Sequence, residues 1–214
     1  MVDTTSTFHK DINAQDYPYL SKYTHPVKRA TRDIIGRDKQ MREIQAAFER
    51  PELSNVILLA EGGGGKTALV QGLMVKDKKR IYLEVQLSKM IADAGTTPDQ
   101  IAEWLRSMFN EAANYGRVNN HEVVLFIDEF HQIVQLSAAA VEVLKPLLAD
   151  SGTRGIRVIA ATTFEEFQKY ISPNQPLVER LQRIQLPQPP KEVIIQILRG
   201  MANKYGVGDL FPNN

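Results

Sequence analysis

Eight residues, Ala60-Glu61-Gly62-Gly63-Gly64-Gly65-Lys66-Thr67, narrow what this chain can fold into more than any other segment. They follow the apolar run Val56-Ile57-Leu58-Leu59 and lead into Ala68-Leu69-Val70, so a buried strand must turn sharply into a helix there. Glycines in such a turn let backbone N–H groups wrap phosphate oxygens, and the helix N-terminus adds unpaired donors and partial positive charge. Lys66 brings a full charge toward a β- and γ-phosphate, and Thr67 a hydroxyl suited to Mg²⁺. About sixty residues on, Val123-Val124-Leu125-Phe126-Ile127-Asp128-Glu129 is a second buried strand, ending in acid. Asp128 at its tip suits Mg²⁺, and Glu129, one residue on, can polarise an attacking water. Either string alone is commonplace. Together, in this order and on these elements, they predict a site that binds ATP between Ala60 and Ala68, with Asp128 and Thr67 at the metal and Glu129 at the chemistry.

Composition agrees and removes rivals. The 214 residues suffice for one sizeable α/β core and not for two. With 26 basic and 25 acidic side chains the net charge is +1, so no overall field gathers nucleic acid or anionic lipid, and neither is expected as a partner. The cluster Lys76, Lys78, Lys79, Arg80 is expected as a solvated helix-to-strand turn. No segment has the length and apolarity of a membrane span, and the absence of cysteine removes disulfides, thiolate catalysis and thiolate metal sites. A cytoplasmic protein fits best.

Three parts are expected. Residues 1–32 form a polar arm around Tyr17-Pro18-Tyr19-Leu20 that docks or stays loose, 33–205 a nucleotide-binding α/β domain, and 206–214 a tail. After a helix that begins at Asp38 and closes before Pro51, strands are predicted at 56–59, 81–85, 123–127, 156–160 and 184–186. Helices are predicted at 67–74, 98–113, 137–149 and 164–171, with a last one over 191–204. This alternation predicts a parallel five-stranded sheet sandwiched between helices, its ligand at the carboxyl ends of the strands.

Several motifs then occur in the order seen in AAA+ ATPases. They are Asp33-Ile34-Ile35-Gly36-Arg37-Asp38, the phosphate loop, Leu125-Phe126-Ile127-Asp128-Glu129-Phe130-His131, Leu144-Lys145-Pro146-Leu147-Leu148-Ala149, Ala161-Thr162-Thr163 and Leu177-Val178-Glu179-Arg180. They most resemble the first ATPase domain of the Clp-type chaperones and unfoldases, over about residues 33–205. The resemblance implies that Ile34, Ile35 and Gly36 edge an adenine pocket and that Thr163 is a polar sensor near the γ-phosphate. It also implies that Arg180 is lent to a neighbour's ATP, so that activity needs a homo-oligomeric ring, possibly a hexamer, acting on a protein substrate or adaptor. The chain departs from that pattern in four places. Ala60 stands where glycine is usual, and Gly62 and Gly64 replace a proline and a variable residue, which predicts weak ATP affinity. Residues 86–103 hold no Phe, Tyr or Trp, so a gripping aromatic is missing; Met90, Ile91 or Gly95-Thr96-Thr97 occupy its region. Leu181 follows Arg180 where a second arginine is frequent. The helical lid is mostly absent, which predicts slow hydrolysis in isolation. A nucleotide-gated assembly module with little turnover is the alternative. Asp128-Glu129-Phe130-His131 also spells a helicase box, but no second core domain or basic surplus accompanies it, and His131 is expected to hydrogen-bond near the site as a polar relay.

Overall fold

The first central strand, β2 (Val56–Leu59), is wholly buried, as is the longest, β5 (Ile156–Thr162). In this computed structural model residues 12–28, 30, 34–50 and 52–204 are described; Asp33, the end of the 33–205 domain and the 206–214 tail lie outside them. Six strands form one sheet. With β1 (Thr24–Pro26), β3 (Arg80–Val85), β4 (Glu122–Ile127) and β6 (Gln182–Gln185), the order is β1-β3-β4-β5-β2-β6. The five expected strands are mutually parallel, each within two residues of its expected bounds. The sixth, β1, is an addition: it runs antiparallel on the edge of β3, Thr24 opposite Val85 and Pro26 opposite Leu83.

Side chains alternate across a strand, so each strand feeds two cores. On one face Val56, Leu58, Tyr82, Val124, Phe126 and Ile159 meet α2 (Asp38–Phe48) and α3 (Lys66–Lys76). On the other, Ile57, Leu83, Leu125 and Val158 meet α1 (Pro18–Tyr23), α4 (Leu87–Ala94), α5 (Gln100–Asn119), α6 (His131–Leu136) and α7 (Ala138–Asp150). The chain closes with α8 (Phe164–Glu166), a π-helical turn over Phe167–Ile171, α9 (Gln175–Val178), β6 and α10 (Lys191–Lys204).

Two local findings differ from expectation. Arg80 is not solvated with its lysine neighbours: it is buried, and its guanidinium reaches Asp77 at 3.1 Å, Glu49 at 3.0 Å and Glu122 at 2.6 Å. Burial pulls its pKa down, but those three carboxylates outweigh burial and hold it above its usual range. Met90 is fully buried on α4, so it is a core residue and not a surface grip.

Candidate nucleotide site

Leu59 of β2 lies opposite Thr162 of β5, and Ile127 of β4 opposite Ala160, so three adjacent strands end at one edge of the sheet. The Ala60 amide donates to the Thr162 carbonyl at 3.3 Å and the Phe130 amide to the Ala161 carbonyl at 2.9 Å, tying the segments that leave those strands. The glycine loop and the Asp128-Glu129 pair are thereby brought to the same edge.

In the loop, Gly63 and Gly65 have φ of 73° and 84°, the left-handed region that side chains disfavour. The Gly64 amide closes a turn onto the Glu61 carbonyl at 2.9 Å. A Cβ on Gly64 would lie 2.8 Å from the Ala60 Cβ, whereas one on Gly62 would meet nothing. Lys66, Thr67 and Ala68 open α3, whose first amides have no partner within the helix. The Lys66 ammonium is buried, with its Nζ 3.4 Å from the Ala60 carbonyl, a long contact that leaves donor capacity for an anion. This donor set suits a polyphosphate.

Arg37, one residue before α2, was not singled out in the sequence. Its buried guanidinium donates to the Gly64 carbonyl at 3.0 Å and to the Pro187 carbonyl at 2.8 Å, bracing the loop against the segment before α10, and burial lowers its pKa. Beside it, Gly36 has φ of 75°, which side chains disfavour, and a Cβ there would sit a tight 3.1 Å from Val193 Cγ1. Ile34 rests on α3, its Cγ1 2.5 Å from where a Cβ on Gly72 would be, while Ile35 is 39% exposed. Ile34 thus touches the loop's own helix and Gly36 faces α10.

At the end of β4 the Asp128 Oδ1 accepts the Glu129 amide at 2.9 Å, and Glu129 has φ of 51°, unusual for a residue with a Cβ. Thr163 caps α8: its hydroxyl accepts the Glu166 amide at 3.2 Å and donates to Glu166 Oε2 at 2.8 Å. Thr162, one residue earlier and fully buried, points its hydroxyl at the same carboxylate, 3.1 Å away, and at His131 Nδ1, 3.0 Å away. Burial pushes the Glu166 carboxyl up, but the Thr163 hydroxyl and amide, the Thr162 hydroxyl and His131 together bring it below its usual range. Thr162 and Glu166 were missed in the sequence, although Thr163-Phe164-Glu165-Glu166 spells a capping box.

Arg180 is not brought to this edge. It precedes β6, whose Gln182 amide bonds the Asn55 carbonyl before β2, and the four residues of β2 put roughly 13 Å between that level and the glycine loop. Its guanidinium turns back to the Pro176 carbonyl, and its Nε is buried without a partner among the described residues.

A parallel sheet that gathers a glycine loop and an Asp-Glu strand end at one edge defines a P-loop nucleoside triphosphatase. Residues 56–188, more than half of the chain, match the ATPase family associated with various cellular activities (AAA), and the chain belongs to that family. Within that family it is similar to Clp-type chaperones. It is 34% identical over 192 residues to the chaperone protein ClpB of Malacoplasma penetrans, covering 81% of this chain and 26% of that protein. To a ClpB 2 of a Nostoc species it is 35% identical over 213 residues, covering 89% of this chain and 23% of the relative. Among solved structures it resembles the Saccharomyces cerevisiae Hsp104–casein complex in its extended conformation (TM-score 0.71, 26% identity, 88% of this chain and 34% of that one). The S. cerevisiae Hsp104–ADP complex gives a TM-score of 0.73 at 27% identity, with the same coverage. The chain spans about a quarter of the length of the ClpB relatives it matches.

Proposed function

We propose that this chain binds Mg-ATP at the loop Ala60–Ala68 and hydrolyses it as one subunit of a protein-remodelling ring. The carrying observation is the meeting of the glycine loop with Asp128 and Glu129 at one sheet edge, while Arg180 stands at the far end of β6. The loop amides and Lys66 would cradle the phosphates, and Ile34, Ile35 and Gly36 would border the adenine. Thr67 and Asp128 would hold Mg²⁺, which when bound neutralises phosphate charge. Glu129 would take the proton of the water that attacks the γ-phosphorus as the bridging P–O bond breaks and ADP leaves, with Thr163 helping to place that water. Arg180, too far to serve its own loop, would reach the neighbour's γ-phosphate, so turnover would need a ring. Casein in the Hsp104 complex supports a protein substrate. A cytoplasmic location belongs to the same proposal; among the described residues no helix is long and apolar enough to cross a membrane.

One observation favours the nucleotide-gated module as a second reading. Between α4 and α5 the exposed residues are Gly95, Thr96, Thr97 and Asp99, which offer no apolar surface for gripping polypeptide. ATP turnover against protein concentration, with sedimentation of the same samples, tests both. The ring reading expects cooperative turnover that falls at least a hundredfold in Glu129→Gln, with ATP still bound, and comparably in Arg180→Ala. Binding by monomers without turnover at any concentration would favour the gate.

A further inference from the structure

His131 opens α6 two residues beyond Glu129, with its side chain 8% exposed and its ring stacked at 6.0 Å on Tyr170. Its Nδ1 lies 3.0 Å from Thr162 Oγ1, 3.2 Å from Glu166 Oε2 and 3.6 Å from Glu129 Oε2. Ionised carboxylates only accept, so Nδ1 carries a hydrogen in this arrangement. The Thr162 hydroxyl gives its own hydrogen to Glu166 and accepts from the imidazole. Glu166 Oε2 also takes the Thr163 hydroxyl at 2.8 Å and the Thr163 amide at 3.2 Å, so a single oxygen is pinned by the end of β5 and the start of α8. The capping box accounts for the Thr163–Glu166 bonds. It does not account for a buried imidazole on the same oxygen whose other neighbour is the Glu129 carboxylate.

That carboxylate is 47% exposed and hangs from a backbone at φ of 51°. At 3.6 Å its contact with Nδ1 is electrostatic and longer than a hydrogen bond, which leaves Oε2 open to a water. We propose that His131 is a positioning residue for hydrolysis. Anchored by Thr162 and Glu166, it fixes where the Glu129 carboxylate sits, and Glu166 acts through it. The inference rests on Glu129 being the base and assigns the two residues that hold that base in place.

The full chain is tested as His131→Leu, which fills the ring's volume without a donor, as His131→Asn, which keeps a donor near Nδ1, and as Glu166→Gln. Each is made alone and with Glu129→Gln. kcat and KM, ATP Kd by calorimetry and thermal midpoint are measured for all. Positioning predicts that His131→Leu and Glu166→Gln lower kcat about tenfold to a hundredfold, with ATP Kd within about twofold, and that His131→Asn retains the larger share of activity. It also predicts that His131→Leu has no further effect on the residual single-turnover rate once Glu129→Gln is present, because the group it positions is gone. An unchanged kcat with a lowered thermal midpoint would reduce His131 to a packing residue. A raised kcat would mean that it holds Glu129 away from the water, and would overturn the proposal. Absence of turnover in the wild type overturns the hydrolysis reading and the positioning role together, whereas equal turnover in wild type and His131→Leu overturns the positioning role alone.

Discussion

The four glycines of the phosphate loop are alike in the sequence and unlike in space. Gly63 and Gly65 hold left-handed backbone, Gly64 is wedged against the Ala60 Cβ and the Glu61 carbonyl, and Gly62 has an ordinary φ and open space around it. Freedom that three positions need is therefore surplus at the first, where it must be lost when the loop closes on phosphate. Gly62→Ala is expected to tighten ATP binding about two- to fivefold, from the ~0.4–1 kcal/mol such a replacement saves in chain entropy. Gly64→Ala forces its new methyl against a methyl that cannot rotate away and against backbone, and is expected to weaken binding by about 1–3 kcal/mol. Calorimetric titration of both variants checks the pair. Equal effects would mean that the loop behaves as one flexible string.

At the scale of elements, legibility followed burial on both sides. β2, β4 and β5 read clearly because each is a run of apolar residues enclosed by two helical layers. β1 was illegible: three residues including a proline carry no period, and they are held on the edge by what α1 packs against. α4 sets Leu87, Met90, Ile91 and Ala94 at helical spacing, but over only eight residues, and it is not among the predicted helices. The site's main loop and acid pair were legible because their chemistry is local in sequence. Arg37 and Glu166 were not, because each acts on a residue brought close by folding, Arg37 on Gly64 and Glu166 on His131. The capping box of α8 gives a pH prediction. The folded Glu166 pKa lies below the ordinary glutamate value of about 4.3, so its contribution to stability is present above that value and is lost as pH falls through the folded one. Glu166→Gln removes that contribution. Urea denaturation should find the variant less stable than wild type at pH 7 and the gap narrowed at pH 4. Glu49, whose carboxyl is lowered by Arg80, keeps part of the acid sensitivity in both proteins.

Across the whole molecule, the stretch 12–28 closes the sheet at the β3 edge, away from the glycine loop. Without β1, β3 would be an open edge, and α1 holds β1 there. Leu20 is fully buried, and its amide donates to Glu111 Oε2 of α5 at 2.7 Å, supplying the cap that Tyr17 does not. Tyr23 stacks on Trp104 with ring centres 5.3 Å apart, and the Gln86 amide returns to the Tyr23 carbonyl at 2.8 Å. Lys22 pairs with Asp93 at 2.8 Å, but on an exposed surface that adds little. Tyr23 thus carries the clamp, and Tyr23→Ala is expected to cost about 3–5 kcal/mol, lowering the thermal midpoint by roughly 2–4 °C per kcal/mol for a chain of this size. A double-mutant cycle with Trp104→Ala should return a coupling of about 0.5–1.5 kcal/mol from the stack. Between β1 and β2 lie β3, β4 and β5, so four strand spacings of about 4.8 Å separate the clamp from the glycine loop by close to 19 Å. No ligand group is shared across that distance, and ATP affinity at 25 °C should match wild type while the melting curve shifts. Thermal melting followed by circular dichroism, with ATP titration on the same preparations, separates the two quantities. Weakened ATP binding in a fully folded Tyr23→Ala protein would mean that the far edge of the sheet is coupled to the phosphate loop.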